Sequence, residues 1–125
     1  MDLAIKAFEI ICKMNRDDFM LISPIICHGY IGVLASIHSM YLDSVIQYFN
    51  LGRKRMFHIV LKYFDEELKY GFSDIKINSV SNEGNCKFIR VDDISIQEGA
   101  IGIVLSLLRL TKESKINWLR HLLLG

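Results

Sequence analysis

The pattern of apolar and polar positions divides the 125-residue chain into helical segments of two kinds. In the segments 29–50 and 99–110, apolar residues lie on nearly every side of a helical projection, which is typical of a helix buried on several sides. In the segments 2–15 and 53–70, apolar residues recur at spacings of three and four, so each predicts an amphipathic helix. Residues 116–124, around Trp118, predict a shorter helix of this second kind.

The segments between the helices carry turn signals. Asn50-Leu51-Gly52 is typical of a helix C-terminus and predicts that the first buried helix ends there. Between residues 75 and 91, apolar positions alternate on both sides of Asn82-Glu83-Gly84-Asn85, which favours either a short β-hairpin or a plain loop. The alternation of buried and one-sided helices predicts an all-α fold, a partial α/α toroid made of two helical hairpins of a larger ring. Two hairpins cannot close a ring, so we expect the buried helices to need neighbours from elsewhere.

Charge and apolar content argue against a nucleic-acid-binding protein and against a membrane-spanning one. Fifteen basic and 14 acidic residues give a net charge of +1, which offers no global electrostatic attraction for nucleic acid. The most apolar window, 19–42, is interrupted by Pro24, His28 and Gly29. It therefore falls short of the roughly 18 uninterrupted apolar residues of a membrane-spanning helix. With no secretory signal and an odd number of cysteines, three, the sequence predicts a soluble cytoplasmic protein in a reducing compartment.

Candidate chemistry lies at the head of the first buried helix, in Cys27-His28-Gly29-Tyr30-Ile31-Gly32. A similar arrangement, Gln97-Glu98-Gly99-Ala100-Ile101-Gly102, returns 70 residues later without Cys or His. A thiolate and an imidazole are good zinc ligands. Adjacent residues on a regular helix point about 100° apart, so both can reach one ion only where the backbone is irregular. Pro24 disfavours helix at the preceding residue and predicts such an irregular entrance.

Each of these residues also has a purely structural interpretation. The glycines allow close packing of the helices, and their recurrence without Cys or His favours that role. Tyr30 could line the site or belong to the core. Cys12 and His38 lie on apolar faces and are predicted to be core residues, whereas Cys86, in a predicted polar loop, and His58 are weaker candidate ligands. Glu98 complements the helix dipole.

Three motifs in order carry a resemblance to a known family. They are Cys27-His28-Gly29 with Gly32, then Glu98-Gly99-Ala100-Ile101-Gly102, then the leucine-rich segment that begins at Trp118. Together they resemble the C-terminal portion of the lanthionine synthetase C-like family, the lanthipeptide cyclases and their relatives. On this resemblance, residues 1–125 are a C-terminal fragment of a toroid domain.

The resemblance implies zinc (Zn²⁺) as cofactor and the addition of a peptide cysteine thiol to dehydroalanine or dehydrobutyrine, which forms a thioether ring. Cys27 and His28 would be two of three protein ligands. The third ligand, a cysteine of a Trp-Cys-x-Gly motif, and the acid/base His and Arg lie upstream in the family and have no match here. We therefore expect activity in the full-length context and inactivity of the 125 residues alone.

The implied partners are a dehydrated precursor peptide and either the upstream half of the toroid or a dehydratase and transporter complex, at the inner face of the membrane. Two other classes of function remain open. One is an inactive remnant or helical interaction module that needs a partner chain. The other is a helical-repeat binder that uses no zinc.

Overall fold

The computed structural model describes residues 2–44 and 46–111, and within them the fold is mostly helical. Its elements are α1 (Asp2–Lys13), a 3-10 helix (Arg16–Phe19), α2 (Tyr30–Ser44), α3 (Gln47–Leu61), β1 (Asp74–Val80), β2 (Cys86–Val91) and α4 (Ala100–Thr111). Four helices and one small antiparallel sheet in these residues confirm the prediction of a partial helical assembly with a short hairpin. The predicted helix at 116–124 lies outside the described residues.

The core forms around α2, which supplies a row of fully buried side chains. Ile31 and Leu34 pack in one cluster with Met56 and Val60 of α3 and Ile103 of α4. All five are at most 1% exposed. The pattern of α2, apolar on nearly every side, therefore correctly predicted a central helix. On α4 the described residues are less covered: Ile101 and Val104 are 40% and 42% exposed.

The predicted helix end at Asn50-Leu51-Gly52 is wrong. These residues lie inside α3, and the break between helices comes earlier, between Ser44 and Gln47. Gly52 is buried because α1 crosses α3 there: a Cβ at this position would overlap the Cys12 side chain. Glycine at position 52 thus serves close packing of two helices, which a sequence pattern cannot distinguish from a stop signal.

The hairpin alternative for residues 75–91 is confirmed. β1 and β2 pair antiparallel, with Asp74 opposite Val91 and Ile77 opposite Phe88. Gly84 in the connecting turn has a φ of 82°, a conformation that favours glycine. The amphipathic helix predicted for 53–70 is shorter than expected, since α3 ends at Leu61 and successive turns lead into β1.

Among residues 2–44 and 46–111, no helix combines the length and the apolar character that crossing a membrane requires.

Candidate functional site

Cys27 and His28 lie in a turn that spans residues 25–29 and leads into α2. This turn confirms the predicted irregular backbone at the helix entrance, and both side chains are exposed. The turn is closed by the amide of Tyr30, which donates to the carbonyl oxygen of Ser23 at 3.0 Å. Gly29 is required here, because a Cβ would lie 2.6 Å from the carbonyl oxygen of Ile25. The backbone therefore presents two adjacent side chains, a thiol and an imidazole, to the surface.

The same turn recurs at residues 95–99, ahead of α4. The amide of Ala100 donates to the carbonyl of Asp93 at 2.9 Å, which reproduces the bond between Tyr30 and Ser23. A Cβ on Gly99 would overlap the Asp93 carbonyl group in the same way. Close backbone packing thus accounts for the repeated glycines, which is the structural role that their recurrence in the sequence favoured.

The two turns touch each other directly. The amide of Cys27 donates to the carbonyl oxygen of Gln97 at 3.1 Å. A Cβ on Gly102 would lie 2.8 Å from Cδ1 of Ile26, so the start of α4 packs closely against the first turn. The second turn, which carries no Cys or His, therefore supports the first.

A buried carboxylate lies beside His28 and was missed by the sequence analysis. Asp74, the first residue of β1, is 1% exposed. Its Oδ1 accepts a hydrogen bond from Ser23 Oγ at 2.7 Å and lies 3.8 Å from Nε2 of His28. Ser23 Oγ in turn accepts from the amide of Ile75 at 3.1 Å. The approach to the first turn is thereby fastened to β1, a contact between positions 51 residues apart that no local pattern reveals.

Lys76 connects this carboxylate to the second turn. Its Nζ lies 3.3 Å from Oδ2 of Asp74 and 3.2 Å from Oε2 of Glu98. These two carboxylates, Glu98 first, raise the pKa of the Lys76 ammonium. Glu98, expected only to complement the helix dipole, therefore also forms an ion pair. His28 and Glu98 occupy equivalent positions of the two turns, and both face β1.

Tyr30 is 1% exposed and packs in the core between Phe19 and Tyr63. Its hydroxyl donates to the carbonyl oxygen of Leu21 at 2.9 Å, and burial raises the pKa of that hydroxyl. Its ring also borders a groove of about 720 Å³ between the residues before α2 and the β-hairpin. Its role in lining a reaction site stays a prediction.

The other candidate ligands are dispersed. Cys12 and His38 are 7% and 6% exposed, which confirms them as core residues. Burial, with Arg53 and Arg109 nearby, lowers the pKa of His38 to about 4. Cys86 does not lie in a loop as predicted. It is the exposed first residue of β2, because the hairpin turn is shorter than the polar run in the sequence.

Cys27 and His28 offer one sulfur and one imidazole nitrogen, a donor set that fits zinc. Across residues 2–44 and 46–111, no three or more His, Cys, Asp or Glu side chains converge on one point as a metal site would require. The two exposed side chains, with a carboxylate beside the imidazole, therefore fit part of a zinc site, and their role as ligands stays a prediction.

A family model described as "Lanthionine synthetase C-like protein" matches residues 1–123. A sequence search among curated proteins finds no match. The family match spans both turns and every element of the fold described above.

Proposed function

Because the chain belongs to the lanthionine synthetase C-like family, which supports a cyclase-type function, we propose that it is the C-terminal part of a zinc-dependent lanthipeptide cyclase. The observation that carries the proposal is the position of Cys27 and His28. They are adjacent and exposed in an irregular turn, and the imidazole lies beside a buried carboxylate. A carboxylate beside a metal-binding histidine commonly orients its ring.

The proposed reaction is the addition of a peptide thiol across the carbon–carbon double bond of dehydroalanine or dehydrobutyrine. The sulfur forms a bond to the β-carbon, the double bond is lost, and a proton is added at the α-carbon. Nothing is oxidised or reduced, and no group leaves. A free cysteine has a pKa near 8.5, so little of it is thiolate at neutral pH. Cys27 and His28 would hold a zinc ion, which would supply the missing activation, because a thiol that coordinates zinc is deprotonated outright.

The residues of this chain divide the binding task. Cys27 would bind as a thiolate and His28 through a neutral imidazole nitrogen, with the third ligand from a segment outside this chain. Gly29 and the Tyr30 amide fix the turn that presents both side chains. Lys76 partly balances the negative charge of Asp74 and Glu98 next to the site. In this proposal the dehydrated precursor peptide approaches from the exposed side of the turn.

A second candidate function is a helical interaction module, or an inactive remnant, that needs a partner chain. The observation in its favour is the exposed apolar side chains of the described part, on α4 (Ile101 and Val104) and on the hairpin (Ile77 and Phe88). The upstream half of a toroid is the partner that the cyclase proposal predicts. Assembly with a dehydratase and transporter complex at the inner membrane face, in the cytoplasm, belongs to the same proposal.

The test combines metal content with ring formation. The full chain, alone and mixed with a polypeptide that supplies the upstream half, is assayed for zinc by mass spectrometry of the metal. The same samples are incubated with a dehydrated precursor peptide. Since cyclisation leaves the peptide mass unchanged, N-ethylmaleimide is added afterwards, and each adduct marks a thiol that has not formed a ring.

We expect zinc binding and loss of adducts only in the mixture. Cys27→Ala should abolish both, whereas Cys86→Ala, the matched control, should abolish neither. Unchanged zinc stoichiometry in Cys27→Ala would refute the ligand assignment. Complex formation without zinc or cyclisation would favour the interaction module.

A further inference from the structure

The burial of Asp74 calls for an explanation. Its carboxylate is 1% exposed, and Oδ1 accepts a hydrogen bond from Ser23. Oδ2 has an ion-pair contact with Lys76 but no hydrogen bond of good geometry within the described residues. Removing a carboxylate from water costs free energy unless both oxygens are well paired. The hydrogen bond to Ser23 fastens the first turn to β1, and we expect a carboxylate retained at this cost to have a further role as well.

The position of Asp74 relative to His28 indicates what that is. Oδ1 lies 3.8 Å from Nε2 of His28, so a shift of roughly 1 Å would give an ordinary hydrogen bond. Histidines that bind metals commonly donate their second N–H to a carboxylate, which fixes the tautomer and the orientation of the ring. A proton held on Nε2 leaves the lone pair on Nδ1, and that nitrogen is then the one available to a metal.

We propose that Asp74 is a positioning residue that sets the tautomer and ring orientation of His28 for metal binding. The inference rests on the proposed function, because it assumes that His28 is a ligand. Asp74 acts through His28 and is not itself a ligand, since these side chains and Cys27 do not form a three-membered metal group in the described residues.

Two neighbours make Asp74 suited to this role. Ser23 holds Oδ1 through its hydroxyl, and its own carbonyl accepts the amide of Tyr30, so the carboxylate and the turn share one anchor. Lys76 is shared between Asp74 and Glu98, so two carboxylates have one cation between them. Because Lys76 neutralises the two carboxylates only in part, Asp74 can still attract the Nε2–H group of His28.

The first experiment reads the tautomer without any metal. The full chain is labelled with ¹⁵N-histidine and held near pH 8, where the imidazole of an ordinary histidine is neutral. The His28 signals are assigned by their absence in His28→Gln. We expect the Nε2–H form to dominate in the wild type and its fraction to fall in Asp74→Asn. Asp65→Asn, which removes a carboxylate that pairs with Arg90 away from the site, is the matched control and should change nothing.

The second experiment measures zinc affinity in the mixture with the upstream half, by competition with a chromophoric chelator. We expect Asp74→Asn to weaken binding by about 10- to 100-fold, the range for loss of such carboxylates. Ser23→Ala keeps the charge of Asp74 but removes its anchor, and should weaken binding by a smaller factor. If Asp74→Asn fails to fold, Ser23→Ala carries the same test.

The outcomes separate the two proposals. A wild-type tautomer ratio and wild-type zinc affinity in Asp74→Asn would overturn the positioning role. A changed tautomer ratio in a protein that binds no zinc would refute the proposed function, and would leave the effect of Asp74 on His28 established.

Discussion

The backbone amide of Cys27 donates a hydrogen bond to the carbonyl oxygen of Gln97 at 3.1 Å, which joins the same position of two turns that are 70 residues apart in sequence. Each turn is closed by the same amide-to-carbonyl bond and contains a glycine at the same place. Only the first turn carries a thiol and an imidazole. The candidate site is therefore one half of a duplicated backbone unit, and the other half supports it.

Alanine at either turn glycine should destabilise the fold. In Gly29→Ala and Gly99→Ala the new Cβ would meet backbone carbonyl groups, which cannot move aside as a flexible side chain could. We expect a loss of about 1–3 kcal/mol in the free energy of unfolding for each, as for other overpacked positions. Urea unfolding followed by circular dichroism measures it.

The matched control is Gly84→Asn in the hairpin turn. Gly84 has a positive φ that asparagine tolerates, and there is open space where its Cβ would be. Its unfolding midpoint should fall less than that of Gly29→Ala. A wild-type midpoint for Gly29→Ala would mean that the backbone carbonyl groups of residues 23 and 25 do not lie as close to Gly29 as described.

Acid should destabilise the protein through His38. Burial, Arg53 and Arg109 lower its pKa from 6.5 to about 4 in the folded state. Between these two pH values the imidazole is protonated in the unfolded chain but neutral in the folded chain. The contribution of the neutral imidazole to the free energy of unfolding is fully present above pH 6.5 and is lost as the pH falls towards 4. We expect a loss on the order of 1–2 kcal/mol by pH 5, allowing for partial screening by solvent.

Unfolding free energies measured between pH 7 and pH 5 test this. His38→Asn keeps an acceptor for the Arg53 guanidinium, which lies 3.1 Å from Nδ1, but cannot be protonated. The slope of stability against pH should flatten in that variant. The exposed His58 supplies the control, and an equal flattening in His58→Asn would contradict the assignment.

The three free cysteines should differ in reactivity. Cys12 is buried against Gly52, and burial raises the pKa of its thiol, so both access and thiolate content are low. Cys27 and Cys86 are exposed. We expect iodoacetamide to modify two thiols in the native protein and three after unfolding, as counted by mass spectrometry.

Zinc should protect Cys27 alone in the assembled protein, since the proposed site uses its sulfur. Peptide mapping identifies the modified residues. Native modification of Cys12 at the rate of Cys86 would show that α1 does not pack on α3 as described, whereas protection of Cys86 by zinc would point to a different ligand.

Removal of the Tyr30 hydroxyl should cost stability. Tyr30→Phe loses the hydrogen bond to the Leu21 carbonyl and leaves that acceptor without its donor. We expect a decrease of about 1 kcal/mol in unfolding free energy, measured by urea denaturation. Cyclisation by the assembled protein is assayed beside it, and a loss of rate with no loss of stability would show that Tyr30 acts in the site and not in the core.

Local patterns were sufficient for part of this structure. The apolar periodicity predicted α1, α2 and α4, and the recurrence of glycines located both turns. What the sequence did not reveal involves distant contacts: Gly52, read as a stop signal, is a packing position for Cys12, and Asp74, which no pattern singled out, is hydrogen-bonded to Ser23 from across the fold. An isolated sequence records neither contact. The pair Cys27 and His28 was visible because both donors are adjacent in the chain.

The backbone conformation of the duplicated turn does not depend on the two side chains at its tip, at positions 27 and 28 in the first turn and 97 and 98 in the second. Hydrogen bonds between main-chain atoms and the room left by glycine determine its shape, and none of these depends on whether positions 27 and 28 are Cys and His or, as at 97 and 98, Gln and Glu. Reactive groups can therefore be exchanged at this tip without refolding the scaffold. Placing Cys and His at positions 97 and 98 would take two substitutions and should leave the backbone of the second turn unchanged, whereas a complete metal site would also need a third ligand.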